Sequence, residues 1–521
     1  MSRQGAGGTR RTNLDRTIGA LIFVGLFAFY LAIQRGEFVS VDGRIMAGVA
    51  RNLWLHLDVH RTVTSFGATR QPGWSIFGIG MSLVMAPFWA LQLDRDPGQA
   101  FWLTLSCPLL TASSGVVVYR IATGIGLRSV ASAFASLAFG LLTLAPMYSA
   151  ELFSEPGVTL AILVAVLGML RWQQGRSWGP WLVGFGIAWA ILFRYESTVV
   201  VAPMVVGVLL FVPGAVLRAR WRAWLPALVV PIGSALVWTG YYNDLRFGSP
   251  FHSGPNGHLF TTPLLDGLQR QLLSTGKGFF WYSPILLAAI PGCVLLWRRH
   301  RGITAVALGL SLARLLFFSG YYNPDGSVSW GPRYLVPVCA LLALPLAATF
   351  DRISVMTRAR RYASSAAVSL LALVSAAVVV ASVWVPYEYA WARVNDIPGW
   401  QTVPGAKLQV IKEARLDREF NDWYSSPILL GLRSLDGPHL AGPFPLRWWR
   451  GGPSLPGVVA LAIAAAAVVG TIALGRRRDR QRHGGRSHTS APRAPPIPSP
   501  LEPIVAVAIT QFSASQTEPM S

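Results

Sequence analysis

The chain reads as an all-α polytopic membrane protein with about twelve transmembrane helices, and three observations predict this. Of its 521 residues, 52% are hydrophobic and 13% charged, with mean hydropathy +0.44, whereas about a quarter of an ordinary soluble domain is charged. Apolar runs recur from about residue 17 to about residue 475, so the unit to count is the membrane span, and a water-soluble enzyme is excluded. The third observation is where the cations sit. A net charge of +22, from 45 Lys plus Arg against 23 Asp plus Glu, fits either nucleic-acid binding or a membrane protein with its cations on one side, and their placement decides between the two.

The first run, 17–33, follows Arg10, Arg11 and Arg16 and lacks an A-x-A-like cleavage site, so it reads as an uncleaved first span behind a cytoplasmic N-tail, 1–16. Further runs lie near 74–91, 99–121, 128–147, 157–170, 181–193, 198–212, 224–241, 279–297, 303–319, 334–350, 364–385 and 456–475. If the run from Trp74 crossed, Arg298, Arg299, Arg301 and the arginine cluster over 476–482 would face outward, against the positive-inside rule. It is therefore expected to be an embedded or interfacial helix within a large outer loop, 34–98. The other twelve runs then place 25 arginines and 5 acids in the cytoplasm, a net +20, leaving +2 outside. The charge is a topology signal, and nucleic acid is not an expected partner.

This gives a transmembrane module over 17–350, then a cytoplasmic loop and helix, 351–385. A Trp-rich outer segment, 386–455, holds Trp391, Trp400, Trp423, Trp448 and Trp449 and reads as a glycan-stacking cap or an interfacial aromatic belt. A last helix, 456–475, leads to a basic and then Pro/Ser-rich tail, 476–521, that reads as disordered. Both termini are expected in the cytoplasm of a cell-membrane protein. Cys107, Cys293 and Cys339 fall in apolar runs without a C-x-x-C and read as membrane-core residues. The preference for Arg over Lys, with abundant Ala, Gly, Val and Pro, is that of a GC-rich bacterial genome such as an actinobacterial one.

Chemistry is expected at the outer mouths. Asp42 precedes a run from Ile45 with apolar residues at helical spacing and Arg44 and Arg51 at its flanks; it either caps an amphipathic helix or faces a polar cavity. In the next outer turn Glu151 and Glu155 stand four apart, Glu155 directly before Pro156, where an acid also serves simply to start a helix. Two short runs are separated by Arg194-Tyr195-Glu196-Ser197, the expected tip of a short hairpin; Arg194 and Glu196 pair with each other or line a wet cavity. Arg314 lies inside a run, where insertion costs roughly 2.5–3.5 kcal/mol. Lys277, between glycines, is the first of three lysines and is either a phosphate contact or an interfacial anchor. Arg333 stands in Trp330-Gly331-Pro332-Arg333-Tyr334, Arg70 in Arg70-Gln71-Pro72-Gly73, and Asp325 is a further outer acid.

Taken in order, these features resemble the GT-C superfamily of integral-membrane glycosyltransferases, nearest in pattern to the protein O-mannosyltransferase and aminoarabinose-transferase branch. The features are an Asp in a long first outer loop, a Pro turn into an embedded helix, Glu-Pro in the second loop, Arg-x-Glu in a short helical pair and a late Trp-Gly-Pro-Arg-Tyr. The resemblance covers roughly residues 15–350. It implies a GT-C-like fold, a polyprenyl-phosphate sugar donor, and a glycan, lipid or protein acceptor at the outer face. It places the catalytic base on Asp42 and the second-loop acid on Glu155, with Glu151 and Glu196 as secondary candidates beside Asp325. The chain departs from those relatives in having Arg70-Gln71-Pro72-Gly73 for their Lys-Pro-Pro, and Asp42 alone for the paired acids of some branches.

The chemistry is consistent with this. A donor used outside the cytoplasm must arrive already activated, and the chain has no G-x-x-x-x-G-K-[ST] loop for a nucleotide. A lipid phosphate leaves well if cations hold its growing charge; Lys277, Arg333, Arg314, Arg194 and Arg70 are the candidates. A base at Asp42 would activate the acceptor hydroxyl, and attack opposite the leaving group inverts the sugar carbon. No cofactor is required by the sequence; a divalent cation is compatible with Asp42, Glu155 or the His56, Asp58 and His60 group as ligands. The rival class is a multi-pass transporter or flippase, which also uses intramembrane Arg and broken helices. Against it, no inverted repeat is found and the polar residues gather at the mouths.

Overall fold

The computed structural model describes residues 3–34, 36, 40–60, 74–91, 101–252, 259–324, 326, 329–385, 387, 426–433 and 455–484. Arg70, Asp325, nearly all of the 386–455 segment with its five tryptophans, and the tail beyond 484 lie outside the described residues. Within them every regular element is helical. In order these are α1 (Arg3–Ile33), α2 (Val41–His56), α3 (Gly80–Met85), α4 (Phe101–Thr104), α5 (Ser106–Gly124), α6 (Ser129–Leu142), α7 (Ala145–Ala150), α8 (Glu155–Gln173), α9 (Gly179–Phe193) and α10 (Val201–Phe211). Then follow α11 (Gly214–Ala219), α12 (Trp221–Phe247), α13 (Leu264–Leu272), α14 (Phe279–Tyr282), α15 (Ala289–Arg299), α16 (Arg301–Gly320), α17 (Val336–Ile353), α18 (Arg358–Trp384), α19 (Pro427–Arg433) and α20 (Leu455–Gly484).

Eight helices are long and apolar enough to cross a membrane, and four shorter apolar ones accompany them, Gly80–Leu91, Ser129–Leu142, Gly179–Phe193 and Tyr195–Leu209. Burial separates inner from outer helices. The apolar windows of α8 and α17 are 78% and 83% buried, those of α12 and α20 only 17% and 22%, so α8 and α17 form the interior and the other two present apolar surface outward. The last helix continues through 479–484 into a second unit, residues 479–521, of which only these helical residues are described.

Two apolar runs are interrupted where the sequence suggested single helices. Run 128–147 ends α6 at Leu142, passes through an extended Thr143 and restarts as α7 with Pro146 in its first turn. Run 279–297 becomes α14, a 3-10 stretch Pro284–Ala288 and α15, because Pro284 has no N–H to continue the helix. The expected hairpin over 181–212 is instead α9, an extended Arg194, a 3-10 turn Tyr195–Val200 and α10, which packs on α16 and α8. The Trp74 run is irregular to Ile79, then helical over Gly80–Leu91. Twelve helical residues fall short of the roughly 20 a crossing needs. Ser82 on this helix donates to the Met46 carbonyl of α2 at 2.9 Å.

The interrupted ends gather at one end of the bundle. At the other, Arg478 donates to Asp15 and Ser129, Tyr119 reaches Asp15 at 3.0 Å, and Asp351 takes Arg128 and Arg299 at 3.6 and 3.9 Å. These bonds tie the first and last long helices to the interior, and they engage both Asp15 and Asp351. Cys107 and Cys339 are buried, Cys293 is half-buried, and all three are free thiols.

Candidate functional site

The site begins with the capping of α2. Ser40, in extended conformation, is the N-cap; its hydroxyl accepts from Gly43 N at 3.0 Å and donates to the Leu152 carbonyl at 2.9 Å. The capping role weighed for Asp42 therefore belongs to Ser40. Asp42, in the first turn, is left to make other contacts. Gly43 allows the close approach: a Cβ there would stand 2.7 Å from Leu152 Cβ and 3.0 Å from Leu152 O. Gly43→Ala is expected to push α2 off the 152 turn and to destabilise the protein by about 1–3 kcal/mol, the usual cost of overpacking; thermal melting in detergent checks this.

From Asp42 a ladder of charges runs inward. Arg333 Nη1 donates to Asp42 Oδ2 at 2.8 Å, and its Nε lies 3.8 Å from Glu155 Oε1. Arg194 Nη1 donates to the same Glu155 oxygen at 2.8 Å and its Nη2 to Glu196 Oε1 at 3.1 Å. Tyr321 completes the ladder with a 3.2 Å bond to Glu196; burial and then the Glu196 carboxylate hold this phenol well above its ordinary pKa, so it stays a donor. Of the two readings of Arg194 and Glu196, the mutual pair is present, and Arg194 also joins Glu155 across helices. Side-chain exposure falls from 21% at Asp42 to 10% at Arg333 and zero at Glu155, so Asp42 is the end nearer solvent. Its Oδ1 has no hydrogen-bond partner among the described residues.

Tyr334 organises the cations. Its ring lies 4.7 Å from the Arg194 guanidinium and stacks on Phe318 at 4.2 Å. Its carbonyl accepts from Arg314 Nε and Nη2 at 3.2 and 2.9 Å. Arg314 is fully buried, and its Nη1 has no partner among the described residues. Glu155 Oε2, Arg194 Nε, Arg333 Nε and Ser149 Oγ are likewise buried without a hydrogen-bond partner among the described residues. So many unsatisfied atoms around one cluster are rare in a finished core and mark a place where polar groups remain to be met.

The 330–334 loop is aimed from both sides. Tyr148 donates to the Trp330 carbonyl at 2.6 Å, and Lys277 Nζ donates to the Ser329 carbonyl while lying 4.4 Å from the Tyr387 ring. Gly331 turns at φ +58°, a conformation that favours glycine. Lys277 is fully buried and acts here on the backbone of the loop that carries Arg333. Glu151 is buried in the turn beside Leu152.

Residues outside the sequence candidates also matter. Ser40, Tyr148, Tyr321 and Tyr334 hold the ladder, yet each is an ordinary residue type whose partner lies far along the chain. Arg246, at the end of α12, is 1% exposed; in sequence it cannot be told from an interfacial anchor. The His56, Asp58 and His60 group is distinct from the ladder: His56 is exposed, while His60 bonds Asp58 at 2.8 Å and packs on Trp74. Burial acts to raise the Asp58 carboxyl, but the bonds from His60 outweigh it and hold the group below its ordinary pKa. Among the described residues no three His, Cys, Asp or Glu side chains converge on one point, and Arg333 lies against both Asp42 and Glu155. This donor set does not fit a cation, and no step is routed through one.

No family model matches the chain, and no curated protein matches it. Among solved structures it is similar to ArnT from Cupriavidus metallidurans, known in an apo state and bound to undecaprenyl phosphate, at 14% identity and TM-score 0.47, over 89% of this chain and 77–78% of that one. It is similar to the oligosaccharyltransferase AglB from Archaeoglobus fulgidus at 12% identity and TM-score 0.45, over 74% of this chain and 58% of that one. It is also similar to the arabinosyltransferase EmbB from Mycobacterium smegmatis, at 12% identity and TM-score 0.41, over 91% of this chain and 41% of that one.

Proposed function

We propose that the chain transfers a sugar from a polyprenyl-phosphate donor to an acceptor hydroxyl at the outer membrane face, inverting the sugar carbon, with Asp42 as the base. The observation that carries this reading is the ladder itself. A carboxylate near solvent, with one oxygen held by Arg333 and the other unengaged among the described residues, opens a ladder of buried guanidinium groups, and Arg314, joined to that ladder through Tyr334, bonds only a neutral carbonyl and keeps an Nη1 with no hydrogen-bond partner among the described residues. An Arg held by a carbonyl keeps its charge uncancelled, which suits a site for an anion.

In the step so proposed, Asp42 Oδ1 takes the acceptor hydroxyl proton as that oxygen bonds to the anomeric carbon. The carbon–oxygen bond to the phosphate breaks, and the electron pair leaves on the polyprenyl phosphate. Arg314, together with Arg194 and Arg333, stabilises the charge that develops there. Glu155 keeps both paired arginines in place. Lys277 supports this from behind by fixing the Ser329 carbonyl, a positioning role in place of the direct phosphate contact considered from sequence.

The test supplies membranes containing the chain with a panel of polyprenyl-phosphate sugars and, separately, with nucleotide sugars. Transfer from the lipid-linked donors alone is expected. Substrate flux through proteoliposomes with no sugar transferred would replace this reading with the transporter class. Arg314→Gln is expected to raise the donor KM about tenfold, the scale of one charge-assisted hydrogen bond, with a smaller change in acceptor KM. Equal changes in both would remove Arg314 from the phosphate.

A further inference from the structure

Arg246 has no place in the ladder, yet it is among the most fully buried large side chains. Its guanidinium reaches across 171 and 169 residues of sequence to donate to the Ser75 and Phe77 carbonyls at 3.0 and 2.8 Å. It also bonds the Tyr242 carbonyl at 3.1 Å and Asn243 Oδ1 at 2.5 Å, and lies 4.0 Å from the Tyr242 ring. All of these acceptors are neutral. A cation buried at this cost to hold two carbonyls of an irregular segment fixes that segment in place.

What the segment touches gives the bond its meaning. At Gly78 a Cβ would stand 2.5 Å from the Leu192 carbonyl oxygen, and at Gly80 2.7 Å from Phe193 N. The segment therefore lies backbone to backbone on the last turn of α9, immediately before Arg194. The Phe193 ring in turn covers Gly157, where a Cβ would meet it at 2.3 Å, two residues after Glu155. The segment thus presses directly on the residues before Arg194, and through the Phe193 ring it backs the turn that follows Glu155.

We propose that Arg246 is a positioning residue: it clamps residues 74–79 against the end of α9 and thereby fixes the geometry of Arg194 relative to Glu155 and Glu196. In its activity arm this rests on the transfer function proposed above; in its labelling arm it does not. The full-length chain carries Ser75→Cys as reporter, a change of one atom at a position only 2% exposed, with Cys107, Cys293 and Cys339 replaced by Ala. A membrane-impermeant maleimide is expected to label residue 75 at least tenfold faster with Arg246→Gln than in the parent. Arg246→Lys, whose ammonium can still reach the segment's carbonyls, is expected to restore most of the protection. Unchanged labelling in Arg246→Gln overturns the clamp.

The activity arm asks whether Arg246 acts through Arg194. Arg246→Gln should lower kcat tenfold or more with little change in acceptor KM, and add nothing to the loss already caused by Arg194→Gln. Independent sites instead give additive losses, and additivity at equal protein levels would overturn the proposal. A parent chain that transfers no sugar leaves the labelling result to decide the clamp alone.

Discussion

Asp42→Asn is expected to lower sugar transfer by about 10²- to 10⁴-fold, the usual contribution of a general base, while leaving the amount and thermal stability of the protein near those of the parent. Asparagine keeps a carbonyl oxygen for Arg333 Nη1, which now bonds Asp42 Oδ2 at 2.8 Å, and Ser40 keeps α2 capped. The substitution therefore removes the proposed base without removing its support. Asp42→Glu should recover part of the activity, because the base returns displaced by one methylene. Initial rates with a polyprenyl-phosphate donor in membranes measure both, and full activity in Asp42→Asn would remove the residue from the mechanism.

Arg194→Leu carries the largest expected effect on stability. Glu155 and Glu196, both buried, would lose the guanidinium that bonds them at 2.8 and 3.1 Å, and breaking a buried pair from one side costs about 3–5 kcal/mol because a charge is left uncompensated. Adding Glu155→Gln and Glu196→Gln to Arg194→Leu should return most of that stability, since the stranded charges are gone, but no activity. Thermal melting in detergent with parallel transfer assays separates the two. If the triple variant melts no higher than Arg194→Leu, stranded charge is not the cause.

The helical, membrane-embedded character was legible because it follows from composition and from the side on which Arg gathers. The places where helices break were harder to read. Pro284 ended a helix as a proline should, but the break at Thr143 goes with a bond from the adjacent Leu144 N to Ser283, 139 residues on, and Arg194 leaves its helix where it meets Glu155, 39 residues back. The site shows the same division. Asp42, Glu155, Arg194, Glu196, Arg314 and Arg333 stood out as charges in apolar surroundings, and all six lie in or against one ladder. Apart from the adjacent Arg194 and Glu196, nothing in the sequence indicated which cation would meet which acid, or that Lys277 would bind a backbone carbonyl. Tyr334 was hidden because its function lies as much in its carbonyl as in its ring. Arg246 sat at the end of a span, where an arginine is ordinary.

The pairing of Asp42 with Arg333 spans 291 residues, and this matters while the chain is being made. At about 5–20 residues per second, Asp42 precedes its partner by roughly 15–60 s. The inner pairs are local by comparison, with Arg194 separated from Glu155 by 39 residues and from Glu196 by two, so those charges neutralise one another early in insertion. The Asp42 end of the ladder is consequently the last for which both partners are made. A chain stalled before residue 333 therefore holds both members of each inner pair, while Asp42 still lacks the guanidinium that bonds it in the finished fold.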